Sequence, residues 1–392
     1  MAASNLGQMI LERAARSGSK DAFRLRRGDA YVGVTWGEVR PRLDHIAAGL
    51  LSAIELADDA HITIVGNTSM DWILCDFAAL SIGLRTVPVY ASLLPEEVGY
   101  MHVDTKAVLA IVEDAAQLAK IREMRGGFTF FDKEYSPDQI DLAHVVVIDP
   151  TGLEAADDWE SLADLEARGA EKLEELKPAI EERRAKIERS HTATYTYTSG
   201  TTGPPKAVIQ THENMLSMLE MSDKDQLFNE KVSRGGLFLF LPLAHSFGRL
   251  IELAGPFFDA PLIISSVPTL ADDLKVARPG FFPSAPRVYE KMKAKIEGAV
   301  AGAPPVRQRL FRWAMDTGKA TIPYRSRGEP VPTLLRLRYR LADRLVLSKL
   351  RERLGFDQTG LLLSGSAPLG VDVHEFFLGM GLELMEAYGL TE

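Results

Sequence analysis

Residues 195–208 read YTYTSGTTGPPKAV. Just upstream, Thr194, Tyr195, Thr196 and Tyr197 alternate as a strand does. Between Thr198 and Lys206 the chain concentrates hydroxyl side chains, the glycines Gly200 and Gly203, and a lysine. A loop of this composition can turn its backbone N–H groups inward around phosphate oxygens, and a lysine adds a mobile positive charge. The order differs from the P-loop pattern GxxxxGK[ST]: the two glycines are three residues apart and Lys206 is followed by Ala207. Gly, Ser, Thr and Pro also furnish ordinary surface loops. A short string such as SGT therefore carries little weight, whereas the whole stretch reads as a triphosphate-gripping loop of another kind.

Reading outward from this loop, strand and helix patterns alternate. FRLRR, a Gly28-Asp29 turn and YVGVTW suggest a hairpin over residues 21–37, and residues 38–53 have helical spacing. HITIV at 61–65 predicts a strand, Ser69 to Ile82 a helix, and Thr86 to Tyr90 a strand. Pro95 opens a further helix, followed by AVLAIV at 107–112 and VVVI at 145–148. Residues 154–190, rich in Glu, Lys, Arg, Ala and Leu, predict one or two solvated helices broken near Pro178. A second run follows: GLFLFL, a helix after His245, APLIISS, and a helix from Leu270. Residues 286–355 read as mostly helical around a connector near 318–332, and GLLLSGSAPL and LELMEAYGLTE each read as a strand leading into a loop. This rhythm predicts an α/β protein with mainly parallel sheets. Two packed lobes, approximately 1–190 and 191–392, are expected.

Composition narrows the function. With 46% hydrophobic and 25% charged residues, the chain has the make-up of a globular protein with a large core. A net charge of −9 with no offsetting basic stretch argues against a nucleic-acid partner. The single cysteine, Cys75, lies in the apolar run DWILCDFAAL, reads as a buried inert thiol and fits a reducing cytoplasm. The first residues, MAASNLGQMILERAARSG, have helical spacing and early charges rather than a cleavable apolar block. No run approaches the roughly 20 apolar residues of a membrane span, so a peripheral contact with the inner membrane face is the membrane role left open.

TSGTTGPPKAV resembles the phosphate-binding signature of the adenylate-forming superfamily: acyl- and aryl-CoA synthetases, peptide-synthetase adenylation domains and luciferases. Ala207 stands where that pattern has glycine. Four further segments resemble the family in the same order. In LPLAHSFGR (241–249), the resemblance makes His245 a wall between carboxylate substrate and nucleotide, although many long-chain members carry an acidic residue where Gly248 stands. FFPSAPRVYEKM (281–292) resembles a segment of long-chain fatty acyl-CoA synthetases near the acyl tunnel and favours a fatty acid over an aromatic acid. In LLLSGSAPL (361–369), Gly365 lacks a Cβ, so a flat purine can lie against its peptide. The resemblance places Gly365, Ser366 and Ala367 at the adenine site. In EAYGLTE (386–392), Tyr388 offers an aromatic surface beside Gly389, Thr391 a hydroxyl near the α-phosphate, and Glu392 a hard oxygen ligand suited to Mg²⁺.

The resemblance covers the chain from near residue 20 onward. It implies an acyl-CoA synthetase-like N-terminal domain with two α/β lobes plus a smaller β-rich part. It also implies ATP, Mg²⁺ and coenzyme A as co-substrates or cofactors and a long-chain fatty acid as the acid activated. Thr198, Ser199, Gly200, Thr201, Thr202, Gly203 and Lys206 would hold phosphates, Thr201 and Glu392 would contact the metal, and His245 and Lys206 would be catalytic. Family members continue past YGLTE into a small mobile lid domain, so the chain is expected to be the larger N-terminal portion without that lid, binding ligands but turning over poorly. A fatty acyl-AMP ligase, an aryl-CoA synthetase and a non-catalytic nucleotide- or acyl-binding protein are the alternatives.

Overall fold

The structure is a computed structural model that describes residues 3–198, 203–224 and 227–391. Its strands, in chain order, are β1 (Asp21–Arg27), β2 (Ala30–Thr35), β3 (His61–Val65), β4 (Arg85–Val89), β5 (Ala107–Val112), β6 (Phe128–Phe130), β7 (Lys133–Tyr135), β8 (His144–Val147), β9 (Glu160–Ser161), β10 (Thr192–Thr198), β11 (Lys206–Thr211), β12 (Leu237–Leu239), β13 (Leu262–Ile264), β14 (Phe281–Ser284), β15 (Leu361–Ser364) and β16 (Leu384–Glu386).

They form two seven-stranded sheets and a small antiparallel pair, β6–β7. The first sheet runs β11-β10-β4-β3-β5-β8-β9, parallel throughout except for the β10–β11 hairpin. The second runs β16-β15-β14-β12-β13-β1-β2, parallel except for the β1–β2 hairpin. The mainly parallel α/β architecture expected from the strand–helix rhythm is therefore the architecture found. The lobe boundary expected near residue 190 is not a boundary between sheets. The N-terminal hairpin completes the second sheet, and β10 and β11 complete the first.

Local chemistry sets the helix starts. Ser69 accepts from the Trp72 N–H to cap the helix Met70–Ser81, and Thr35 with Glu38 forms a reciprocal capping box at the helix Trp36–Ala53. Strands β3 and β5 read as near-continuous apolar runs because both faces are covered: Ile62, Ile64, Leu109 and Ile111 are all fully buried. Cys75 is fully buried too, and burial pushes its thiol well above the ordinary range, as an inert core residue requires.

One expectation is corrected. The helix Leu162–Lys186 runs unbroken through Pro178. Pro178 is exposed, so the carbonyl that its missing N–H leaves unbonded faces water. Nor is this helix only a solvated face. It buries Leu162, Leu165, Gly169 and Ile180 and packs closely along the helix Trp36–Ala53. At the crossing, a Cβ on Gly169 would stand 1.8 Å from the His45 carbonyl oxygen, so the two backbones touch where only glycine fits. Arg184 pairs with Asp44 at 2.7 Å, and Arg42 pairs with Glu166, across the same seam.

Candidate functional site

Neighbouring parallel strands end on one edge of a sheet, and loops at that carboxyl edge are where open α/β sheets bind ligands. In the second sheet, the segments after β12, β14, β15 and β16 leave from this edge. They carry LPLAHSFGR, SAPR, SGSAPL and EAYGLT, so four stretches far apart in sequence share one edge.

His245 caps the helix Ser246–Phe258: its backbone is extended (φ −108°, ψ 136°), and its Nδ1 accepts from the Phe247 N–H at 3.1 Å. An accepting Nδ1 leaves the proton on Nε2, and burial lowers the ring's pKa below the ordinary histidine range. The half-buried imidazole is thus neutral and presents Nε2–H as a donor. Phe247 turns its ring toward the β15 loop, and a Cβ built on Gly365 would lie 3.3 Å from two of its ring carbons. The bare Gly365 face expected to receive a purine is therefore in contact with an aromatic side chain of the His245 segment.

The β15 loop is fixed by backbone bonds. The Gly365 N–H donates to the Ser284 carbonyl at 3.1 Å, and the Ala387 N–H donates to the Ser364 carbonyl at 2.8 Å. Ser366 has φ 73°, a left-handed conformation that a serine adopts only at a cost of about 1–3 kcal/mol and that clusters at ligand sites. Gly365 is buried, whereas Ser366 and Ala367 are exposed. Tyr388 is 90% exposed, Gly389 is exposed and Thr391 is half-buried. A turned-out serine and an unshielded aromatic ring fit a heteroaromatic ring that stacks, as a nucleotide base does.

The β10–β11 hairpin belongs to the other sheet and carries the loop expected to grip phosphates. Thr198 pairs with Lys206 at its open end, Lys206 is exposed, and Gly203 has open space around it. Tyr100 Oη donates to the Pro205 carbonyl at 3.2 Å, holding the returning arm of the loop. Ser199, Gly200, Thr201, Thr202 and Glu392 lie outside the described residues, so the expected metal contacts fall there. Among the described residues, no group of three or more His, Cys, Asp and Glu side chains is placed to hold a metal ion.

Residues that sequence reading passed over join these parts. Thr196 Oγ1 donates to Gln210 Oε1 at 2.9 Å, and Gln210 Nε2 donates to Ser246 Oγ at 3.1 Å. The hairpin of one sheet is thereby tied to the residue beside His245 in the other. Lys206 itself stands about 13 Å further along β11 from Gln210, four residues at strand rise. Thr68 Oγ1 also donates across, to the Leu241 carbonyl at 2.7 Å. Behind His245, Arg249 is fully buried against Asp76 at 2.8 Å and Glu252 at 2.6 Å, with its guanidinium 5.6 Å from the Trp72 ring centroid. Burial, aided by Asp76, pushes the Glu252 carboxyl well above the usual range despite Arg249. Tyr289 of the FFPSAPRVYEKM segment is fully buried and donates to the Phe282 or Leu363 carbonyl, at 3.0 and 3.2 Å, which gives that segment a structural role beneath the edge. Two surface clefts, about 380 and 520 Å³, lie elsewhere, one against Asn5 and Arg184 and the other against Arg24 and Lys231.

Known proteins resemble this chain in sequence and in architecture. The family profile for AMP-binding enzymes matches residues 10–392. A long-chain-fatty-acid–CoA ligase FadD15 of Mycobacterium bovis is 30% identical over 394 residues, covering 99% of this chain and 60% of the relative. A long-chain-fatty-acid–CoA ligase ACSBG2 of Gallus gallus is 28% identical, covering 84% of this chain and 42% of the relative. The chain thus spans about three fifths or less of these relatives' lengths. Among solved structures, the inhibitor-bound N-terminal domain of FACL13 from Mycobacterium tuberculosis superposes with TM-score 0.67 at 18% identity, covering 100% of this chain and 77% of that one. The A-PCP didomain of a carboxylic acid reductase from Segniliparus rugosus, in complex with AMP, gives TM-score 0.67 at 16% identity, covering 100% and 53%. At such identities the structures speak for the fold.

Proposed function

Because the chain belongs to the AMP-binding enzyme family, we propose that it forms the nucleotide- and acyl-binding portion of an ATP-dependent long-chain fatty acid–CoA ligase. The observation that carries this reading is the Gln210–Ser246 hydrogen bond, which couples the phosphate-loop hairpin to the helix that His245 caps. A carboxylate and a nucleotide must meet between those two elements for an adenylate to form. The 30% and 28% identities to fatty acid–CoA ligases, together with FFPSAPRVYEKM, support a fatty acid as the acid.

In the reaction proposed for the whole protein, a carboxylate oxygen attacks the α-phosphorus of ATP and pyrophosphate leaves. The coenzyme A thiol then attacks the acyl carbon and AMP leaves. Charge builds on the departing phosphates, so alignment and charge neutralisation are the protein's main contributions. Thr198, Ser199, Gly200, Thr201, Thr202, Gly203 and Lys206 would grip the β- and γ-phosphates. Gly365, Ser366, Ala367, Tyr388 and Gly389 would hold the adenine, and Thr391 would approach the α-phosphate. Thr201 and Glu392 would hold Mg²⁺, which supplies charge neutralisation when bound. The neutral His245 would donate Nε2–H toward the reacting carboxylate.

The test is the thermal stability of residues 1–392 with a non-hydrolysable palmitoyl-adenylate analogue and, in parallel, a benzoyl-adenylate analogue. A ligand at 100 times its Kd stabilises the native state by about 2.7 kcal/mol, which a melting scan resolves. Selective stabilisation by the palmitoyl compound is expected. Selective stabilisation by the benzoyl compound would move the substrate to aromatic acids, and no response to either would overturn the reading for this chain. Palmitoyl-CoA formation is the second readout: slow or single turnover is expected, and efficient multiple turnover would replace that expectation.

A further inference from the structure

Two side chains of one helix reach the two arms of the β10–β11 hairpin. The helix Pro95–Asp104 carries Tyr100 and Asp104, four positions apart and so on one face. Tyr100 Oη donates to the carbonyl of Pro205, the residue before Lys206, at 3.2 Å. Asp104 Oδ2 accepts from Oη of Tyr197, the residue before Thr198, at 2.7 Å. The outgoing arm and the returning arm are thus bonded to the same end of one helix. The Tyr100 ring is held among three others, with the centroids of Phe130, Tyr135 and Tyr197 at 5.0, 6.4 and 6.3 Å. Phe128 presses on the helix beside it, where a Cβ on Gly99 would stand 2.5 Å from a ring carbon.

Helix stability does not account for Asp104. It is the last residue of its helix, where a carboxylate opposes the dipole. Nor does the buried Tyr197 hydroxyl require a carboxylate, because the Met101 carbonyl lies 3.4 Å from it. We propose, on the reading that this hairpin serves ATP, that Tyr100 and Asp104 are positioning residues for the polyphosphate. They fix the exit and the return of the proposed phosphate loop, so that Thr198 and Lys206 stand ready for the β- and γ-phosphates. Both act through the arms of the hairpin rather than by touching substrate. Order already present in the arms is not subtracted from the affinity when ATP binds. The effect falls on ligands that carry β- and γ-phosphates, and AMP carries neither.

The experiment is isothermal titration of residues 1–392 with Mg²⁺ and ATP and, separately, with AMP, with urea unfolding alongside. Tyr100→Phe and Asp104→Ala should each weaken ATP binding about three- to tenfold, the loss of one hydrogen bond, and leave AMP affinity as in the parent. Asp104→Asn keeps an acceptor and should restore most of the loss. Tyr197→Phe should match Asp104→Ala, and the double variant should lose no more than either alone, because both remove the same bond. Tyr100→Phe and Tyr197→Phe keep the ring packing, so they report even where Asp104→Ala fails to fold. The proposal is overturned by unchanged ATP affinity, by equal losses for ATP and AMP, by additive losses in the double variant, or by tighter ATP binding in Asp104→Ala, which would make the carboxylate a repelling charge. A parent that binds neither nucleotide overturns the functional reading and this proposal together. A parent that binds both while the variants match it overturns the positioning role alone.

Discussion

Thr198 and Lys206 are direct partners across the β10–β11 ladder. Opposed residues of an antiparallel pair project to the same face with Cβ atoms about 5 Å apart. The hydroxyl and the ammonium therefore address the same volume at the open end of the hairpin, where the proposed phosphate loop begins and returns, and the ladder holds their spacing.

Lys206→Met follows from this. The lysine is exposed and forms no ion pair among the described residues, so its replacement leaves folding within about 0.5 kcal/mol of the parent. A charge-assisted hydrogen bond to phosphate is worth about 1.5–3 kcal/mol, so ATP affinity should fall by one to two orders of magnitude. Isothermal titration with ATP checks the affinity and urea unfolding the stability. An unchanged affinity would remove Lys206 from the site.

Gly248 departs from the acidic residue that resembling long-chain ligases carry there, and the structure supplies a reason. A Cβ at this position would stand 2.2 Å from the Pro242 carbonyl oxygen, because the turn into the helix Ser246–Phe258 folds back onto it. Gly248→Ala should destabilise the fold by about 1–3 kcal/mol, and Gly248→Glu by more. Urea denaturation of both variants measures this, and a fully stable Gly248→Glu would contradict the close approach.

Glu252 links stability to pH. Burial raises its folded-state pKa well above the 4.5 of an unperturbed Glu, so folding takes up a proton. The stability this contributes is fully present below pH 4.5 and is lost as pH rises toward the folded-state value. Glu252→Gln keeps a neutral side chain of the same shape at every pH. Its melting temperature should gain on the parent's progressively as the medium is made more alkaline, and parallel curves for the two proteins would sink the assignment. Asp76→Ala should act differently, costing about 3–5 kcal/mol by leaving Arg249 buried without its 2.8 Å partner.

His245 should remain a neutral Nε2–H tautomer at pH 7 and gain its proton only below the ordinary 6.5, because burial holds its pKa down. Since the folded pKa is depressed, the associated stability is present above pH 6.5 and fades as pH falls through the folded value. Nitrogen chemical shifts of the imidazole across pH 5–8 distinguish this from an imidazolium. His245→Ala should weaken adenylate-analogue binding, while His245→Gln, which retains an N–H donor, should recover part of it.

Much of this protein was legible in its residues because the determinants are local. The apolar runs HITIV and AVLAIV, the helix start at Ser69 and the Gly28-Asp29 turn each act within a few positions, so strands and helices could be read with shifts of one or two residues at their ends. The loop segments were recognisable for the same reason: TSGTTGPPK, LPLAHSFGR, SGSAPL and EAYGLT are short strings whose composition suits their task. Tertiary structure decided everything that depends on distant partners. It sent the β1–β2 hairpin to the second sheet and β10–β11 to the first. It carried the helix Leu162–Lys186 through Pro178, because a carbonyl left unbonded on an exposed face is satisfied by water and the opposite face is packed. It also joined Gln210 to Ser246 and buried Arg249 with Asp76 and Glu252, pairs separated by up to 173 positions that no periodicity announces. Propensity and capping are written in neighbouring residues, whereas strand pairing, charge burial and the convergence of loops on one sheet edge exist only once the chain has folded back on itself.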